Sequence, residues 1–223
     1  MPVIVIGTSH IAQESITAIK RAIADTKPNF IAVELDIKRL HALASNQQSK
    51  LSLRDISHVG VKGFLFAFFG SLIQRKLGKL VGLAPGSDML QAVKIAQREK
   101  IPLLLIDQDI NITLRRFSDQ LSWADKFHFI EDMVRGLLFP KSEIKKYDLH
   151  TLDLRKIPST ELVEKMIGQL KKRYPSIYHV LIAERNHVMI QRLRNISAQH
   201  PAATILVVVG AGHKSEIEKA FRV

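Results

Sequence analysis

The 223-residue sequence predicts an α/β fold, with a mainly parallel central sheet, flanking helices and a helical lobe. Three observations carry this expectation. Four short runs dense in Val, Ile and Leu, at 2–7, 29–35, 102–107 and 204–210, lack polar alternation and read as strands buried on both faces. An amphipathic stretch at 11–26 joins the first two, and strand, helix and strand together occupy about 35 residues, the size of a βαβ unit with parallel strands and a right-handed crossover. Helical patterns then dominate 110–200, which form the helical portion of a single domain spanning 1–223.

In chain order, the first helix carries Ile11, Ile16, Ile19 and Ile23 at helical spacing and stops before Lys27-Pro28, because proline resists continuation of the turn before it. A second helix over 87–100 starts from Ser87 as N-cap after Pro85-Gly86, with Met89, Leu90, Val93 and Ile95 as its apolar face. Segments 122–138 and 159–173 are helical, separated by turns at 140–142 and 156–158. A long helix over 178–199 precedes the last strand, and 215–221 forms a short closing helix.

Composition narrows the function. A hydrophobic fraction of 46% with 24% charged residues is that of a globular chain, so disorder is confined to short connections. The absence of cysteine excludes disulfides and thiolate ligands, leaving nitrogen and oxygen to hold any metal. The start lacks a basic n-region, and no run approaches the ~18 apolar residues of a spanning helix, so a cytoplasmic location is expected. Lys and Arg outnumber Asp and Glu by 33 to 21, but residues 38–80 alone contribute +7 of the net +12. That excess lacks interleaved exposed aromatics or any recognisable nucleic-acid-binding module, so no specific nucleic-acid partner is expected. Within it, 63–83 (GFLFAFFGSLIQRKLGKLVGL) is expected to form an amphipathic helix that covers the site, makes a homodimer contact or touches a membrane surface; the alternative is an ordinary core helix.

Ligands of parallel α/β sheets bind outside the carboxyl ends of the strands. Here those ends are ionisable: Gly7-Thr8-Ser9-His10, Glu34-Leu35-Asp36, Asp107-Gln108-Asp109 and Gly210-Ala211-Gly212-His213. The first and last share GxxH, in which glycine lets the backbone turn sharply and delivers the histidine to the start of the next helix. The helix N-terminus disfavours imidazolium, keeping the ring neutral, as a metal ligand or a general base requires. A single histidine after a strand is usually a cap or a surface residue; the repetition, with Glu34 on a third apolar strand, is what points to a site.

Glu184 and Arg185 fall within the apolar stripe of the long helix formed by Leu181, Val188 and Met189, either as a buried pair locking helix to sheet or as groups pointing into the site. Glu184 and His187 also have the ExxH metal-ligand spacing. Arg115 and Arg116 could face a substrate carboxylate or an oxyanion, or solvent. The candidate catalytic set is Glu34, Glu184, Arg185 and Arg116, with Asp107, Asp109 and Arg115 as candidate substrate-binding groups.

The stretches GTSH, KPNFIAVELDIKR, APGSDM, LIDQDINITLRR, SIYHVLIAERNHVM and VVVGAGH, in this order and over nearly the whole chain, resemble the TraB family, archaeal members above all. That family includes the PrgY pheromone-shutdown proteins and, more distantly, the Tiki proteases and the EreA/ChaN-like superfamily. One departure is ERN at 184–186, where ERD is more usual. The resemblance implies an EreA/ChaN-like fold and a metal-dependent peptidase acting on peptide or protein substrates, with His10, His213 and Glu34 holding Mn²⁺, Co²⁺ or Zn²⁺. It also implies membrane association, since many members continue into membrane-spanning segments. Two alternatives are a metal-independent esterase-like hydrolase with His10 as base oriented by Glu34, and a non-catalytic protein that sequesters peptides.

Overall fold

The computed structural model describes residues 2–8, 13–45, 87–125, 127–128, 131–132 and 159–221. The expected amphipathic segment 63–83 and His10 lie outside these residues. The described elements run β1 (Val3–Thr8), α1 (Gln13–Thr26), β2 (Phe30–Val33), α2 (Ile37–Ala44), α3 (Ser87–Arg98), β3 (Leu103–Leu105), α4 (Ile110–Gln120), α5 (Thr160–Arg173) and α6 (Pro175–Tyr178). A π-helical turn (His179–Ala183), α7 (Glu184–Gln199), β4 (Ile205–Gly210) and α8 (Ala211–Phe221) follow.

The four strands make one sheet in the order β1-β4-β2-β3, every neighbouring pair parallel. All six residues of β4 are buried, as a central strand covered on both faces requires. Alternate residues serve opposite faces. Ile31, Val33, Leu206 and Val208 pack with Ile19 and Ile23 of α1 and Met89, Val93 and Ala96 of α3. Ala32, Ile205, Val207 and Val209 pack with Met189 and Leu193 of α7 and Ile217 of α8. Helices thus cover both faces, and the α/β expectation with a parallel sheet holds. No helix among the described residues is long and apolar enough to cross a membrane.

Several boundaries differ from those expected. The strand read over 29–35 ends at Val33, although the Glu34 N–H still donates to Val208 O at 3.0 Å, and the run 102–107 pairs only over Leu103–Leu105. The last helix begins at Ala211, directly after β4, rather than at 215, so His213 sits in its first turn. The long helix begins earlier, with Pro175 in its first turn, and widens into the π turn. The helix α2 was not foreseen: Asp36 Oδ1 accepts from the N–H groups of Lys38 (2.8 Å) and Arg39 (3.1 Å), capping it. The second helix closes at Arg98 rather than 100. There Lys100 adopts φ 56°, its N–H donates to Gln97 O, and the Ile101 N–H donates to Ala96 O, the paired bonds of a Schellman cap.

Gly168 lies inside α5, and a Cβ placed on it would meet nothing within 4 Å. Glycine in a helix interior carries an entropic penalty and lacks stabilising contacts. Gly168→Ala is therefore expected to raise stability by roughly 0.5–1 kcal/mol in chemical denaturation; an unchanged midpoint would contradict this.

Candidate functional site at the carboxyl edge of the sheet

The sheet order makes β4 the neighbour of both β1 and β2. Register pairs Thr8 with Gly210 and Val33 with Val208, so the two GxxH strands end side by side and Glu34 emerges beside the second of them. Glu34 is 2% exposed. Its Oε2 accepts from the Gly210 N–H at 2.6 Å, and its Oε1 accepts from Arg185 Nη2. The β4-to-α8 junction that delivers His213 thus also fixes the carboxylate.

Arg185 connects the strand ends. Its Nε donates to Asp107 Oδ1 at 3.0 Å and its Nη2 to Oδ2 at 2.7 Å, a bidentate pair, while Nη1 donates to Leu181 O at 3.2 Å. Arg39 Nη1 approaches the same Asp107 Oδ2 at 2.5 Å. Two carboxylates and two guanidiniums therefore balance in charge. Desolvation opposes the charge on Arg185, but the field of Glu34 and the hydrogen bonds to Asp107 outweigh it and raise its pKa above the ordinary arginine value.

His213 is 4% exposed, and its Nδ1 lies 2.6 Å from Asn186 Oδ1. An amide oxygen can only accept, so Nδ1 carries a proton and Nε2 is the ring nitrogen left for other partners. Nε2 faces Glu34 Oε1 at 3.4 Å. Ligand bonds of about 2.1 Å at a tetrahedral angle put neighbouring donors about 3.4 Å apart, so these two atoms fit a divalent ion. No group of three metal-ligating side chains occurs among the described residues; the third donor implied by the resemblance, His10, is not among them.

An uncharacterized protein of Methanocaldococcus jannaschii is 33% identical over 219 residues, 97% of this chain and 52% of that protein. The family model described as TraB/PrgY/gumN family matches residues 2–221. The chain belongs to this family. The human TraB domain-containing protein is 24% identical over 243 residues and the mouse one 25% over 245, in each case 97% of this chain and 62% of the relative. This TraB-family chain thus spans between half and two thirds of the length of these relatives.

In the TraB-family chain Glu34, Asp107, Arg185 and His213 converge, but other residues singled out in the sequence go elsewhere. Glu184 does not pair with the adjacent Arg185: it forms an ion pair with Arg116 Nε at 3.3 Å, lies 3.3 Å from His179 Nε2, and accepts from Gln120 Nε2 at 3.3 Å. His187 is exposed, so the ExxH spacing assembles nothing with Glu184. Arg115 is exposed on α4. Asp107 is buried, with both oxygens occupied by arginines. Asp109 Oδ1 caps α4 by accepting from the Asn111 N–H at 2.8 Å, and Lys38 Nζ lies 2.7 Å from Oδ2.

Burial would raise the Asp109 pKa, but Lys38 and the capping N–H groups win and hold it below 3.8. The folded state therefore binds its proton less readily than the unfolded chain. The stability gained is present above pH 3.8 and is lost as pH falls through the depressed value. Asp109→Asn is expected to flatten the acid limb of a stability–pH curve; an identical limb in the variant would remove this assignment.

One member of the site was not recognised from sequence as its part, Asn186, although a signal existed, since it is the residue at which ERN departs from the usual ERD. Arg39, a candidate structural partner of Glu34 on sequence grounds, pairs with Asp107 instead, because α2 sets its direction.

Proposed function

We propose that the chain is a metal-dependent hydrolase acting on peptide bonds, with His213, Glu34 and His10 as the metal's ligands. The observation supporting this reading is the buried pair His213 Nε2 and Glu34 Oε1, 3.4 Å apart, with His213 Nδ1 held by Asn186. A divalent ion bound there supplies a Lewis acid and a water of lowered pKa. The chain's own groups prepare for it. Asn186 holds the ring with Nε2 outward, as the outer partners of ligating histidines do. Arg185 and the Gly210 N–H hold the Glu34 carboxylate in place, as a ligand to such an ion requires.

Arg185 itself is committed to Glu34 and Asp107, so its role in this reading is to position the carboxylate rather than to stabilise an oxyanion. Peptide substrates, a cytoplasmic location, membrane-surface contact through 63–83 and homodimer formation belong to the same proposal.

The test is metal analysis of the freshly purified protein, with cleavage of a mixed peptide library in Mn²⁺, Co²⁺ or Zn²⁺ against chelator. Cleavage is expected to vanish on chelation and return with metal, and His213→Ala is expected to purify without the ion. Turnover that survives chelation would replace this reading with the metal-independent esterase-like one. A parent inert in every metal would leave peptide sequestration.

A further inference from the structure

A cleft of about 320 Å³ opens between α5, the π turn and α8, reaching Gly7 at the carboxyl end of β1. One wall is aliphatic, from Val163 and Ile167 of α5; Tyr178 and Ile182 form the other. An apolar cavity of about 150 Å³ accommodates a benzene ring, so this space admits one large side chain or two small ones.

Three features indicate what it takes. Asn186 lines the cleft while only 4% exposed. Its Oδ1 is taken by His213, and its amide nitrogen has no acceptor among the described residues. Since Asn186 lines the cleft, this N–H is available to an acceptor that enters it. Gly168 lines the same cleft, and the side chain it lacks would have stood in open space. A residue unfavourable to its helix thus keeps the opening wide. Among the described lining residues, Lys214 and Lys219 are matched by Glu164 and Glu216, so these residues carry no net charge. An uncharged ligand suits it better than an anion.

We propose that this cleft is a subsite for an apolar residue of a peptide, with the side chain between Ile167 and Ile182 and its carbonyl accepting from Asn186. The π turn contributes directly, because it supplies Ile182 to the wall immediately before α7 supplies Arg185 and Asn186. The subsite lies on the Nδ1 side of His213, one hydrogen bond from the ring that faces Glu34. Its assignment to substrate rests on the hydrolase reading; its capacity to bind does not.

The experiment is an NMR titration of the full chain with N-acetyl-phenylalaninamide, N-acetyl-leucinamide and N-acetyl-glycinamide. The phenylalanine and leucine probes are expected to bind and shift the Ile167 and Ile182 methyls, and the glycine probe is not. Gly168→Leu fills the opening without a clash and is expected to weaken binding roughly tenfold or more. Val163→Phe fills it from the wall and serves if the first variant folds poorly.

Equal binding of all three probes, unchanged binding in the filled variants, or shifts mapping elsewhere would each overturn the subsite. Selective binding by a protein that cleaves nothing would leave the subsite and remove the hydrolase reading. Metal-dependent cleavage without binding of apolar probes would do the reverse.

Discussion

Arg185→Ala is expected to destabilise the protein by about 3–5 kcal/mol, the cost of removing one partner from a buried ion pair. The guanidinium side chain is 14% exposed and faces carboxylates that are 3% and 1% exposed. Without it Asp107 retains Arg39, while Glu34 loses the guanidinium that meets its Oε1 in a buried environment. Arg185→Lys should rescue little, because one ammonium cannot reproduce the fork that engages Asp107 through two nitrogens while touching Glu34 and Leu181 O. The measurement is urea denaturation of the parent and both variants. A loss below about 1 kcal/mol, the range of exposed pairs, would mean that water reaches the cluster.

Glu34→Gln is expected to abolish peptide cleavage and also to cost about 1.5–3 kcal/mol, the range for hydrogen bonds to charged groups. The sequence alone suggests that an isosteric amide spares the fold, but the structure changes this expectation. Both oxygens of Glu34 accept, one from Arg185 and the other from the Gly210 N–H. A glutamine has one acceptor, so either orientation turns its NH₂ against another donor. The chemistry should suffer more than the fold, because the amide can neither ligate a cation as an anion nor take a proton from water. Thermal melts beside a cleavage assay separate the two effects. A variant that melts early yet cleaves as the parent does would reduce Glu34 to a structural role.

The strands were legible because Val, Ile and Leu crowd into runs such as 204–210 without alternation, a pattern that a doubly covered sheet alone requires. Their order was not, since composition cannot say that β4 inserts between β1 and β2. The convergence of Glu34 and His213 follows from reading strand ends. Its detail depends on side-chain direction: Glu184 and Arg185 are adjacent in sequence, yet one turns to Arg116 and the other to Glu34. A helical wheel drawn from 178 misplaces both, because the π turn at His179–Ala183 shifts the phase of everything after it. The helix α2 escaped notice because its eight residues bury no side chain fully, leaving Asp36 as the main trace.

The sheet order also bears on how the chain acquires its structure. Among the described strands one of the two inner ones, β4, is the last in sequence, and its partner β1 lies about two hundred residues upstream, the Thr8-to-Val209 hydrogen bond spanning 201 residues. During synthesis β1 and β2 are complete long before the strand that separates them, so their apolar edges wait across an unfilled gap. Contacts of such sequence separation lower folding rates, since loop closure precedes any gain from pairing. A ribosome-bound intermediate of this topology presents unpaired strand edges to chaperones and to other nascent chains.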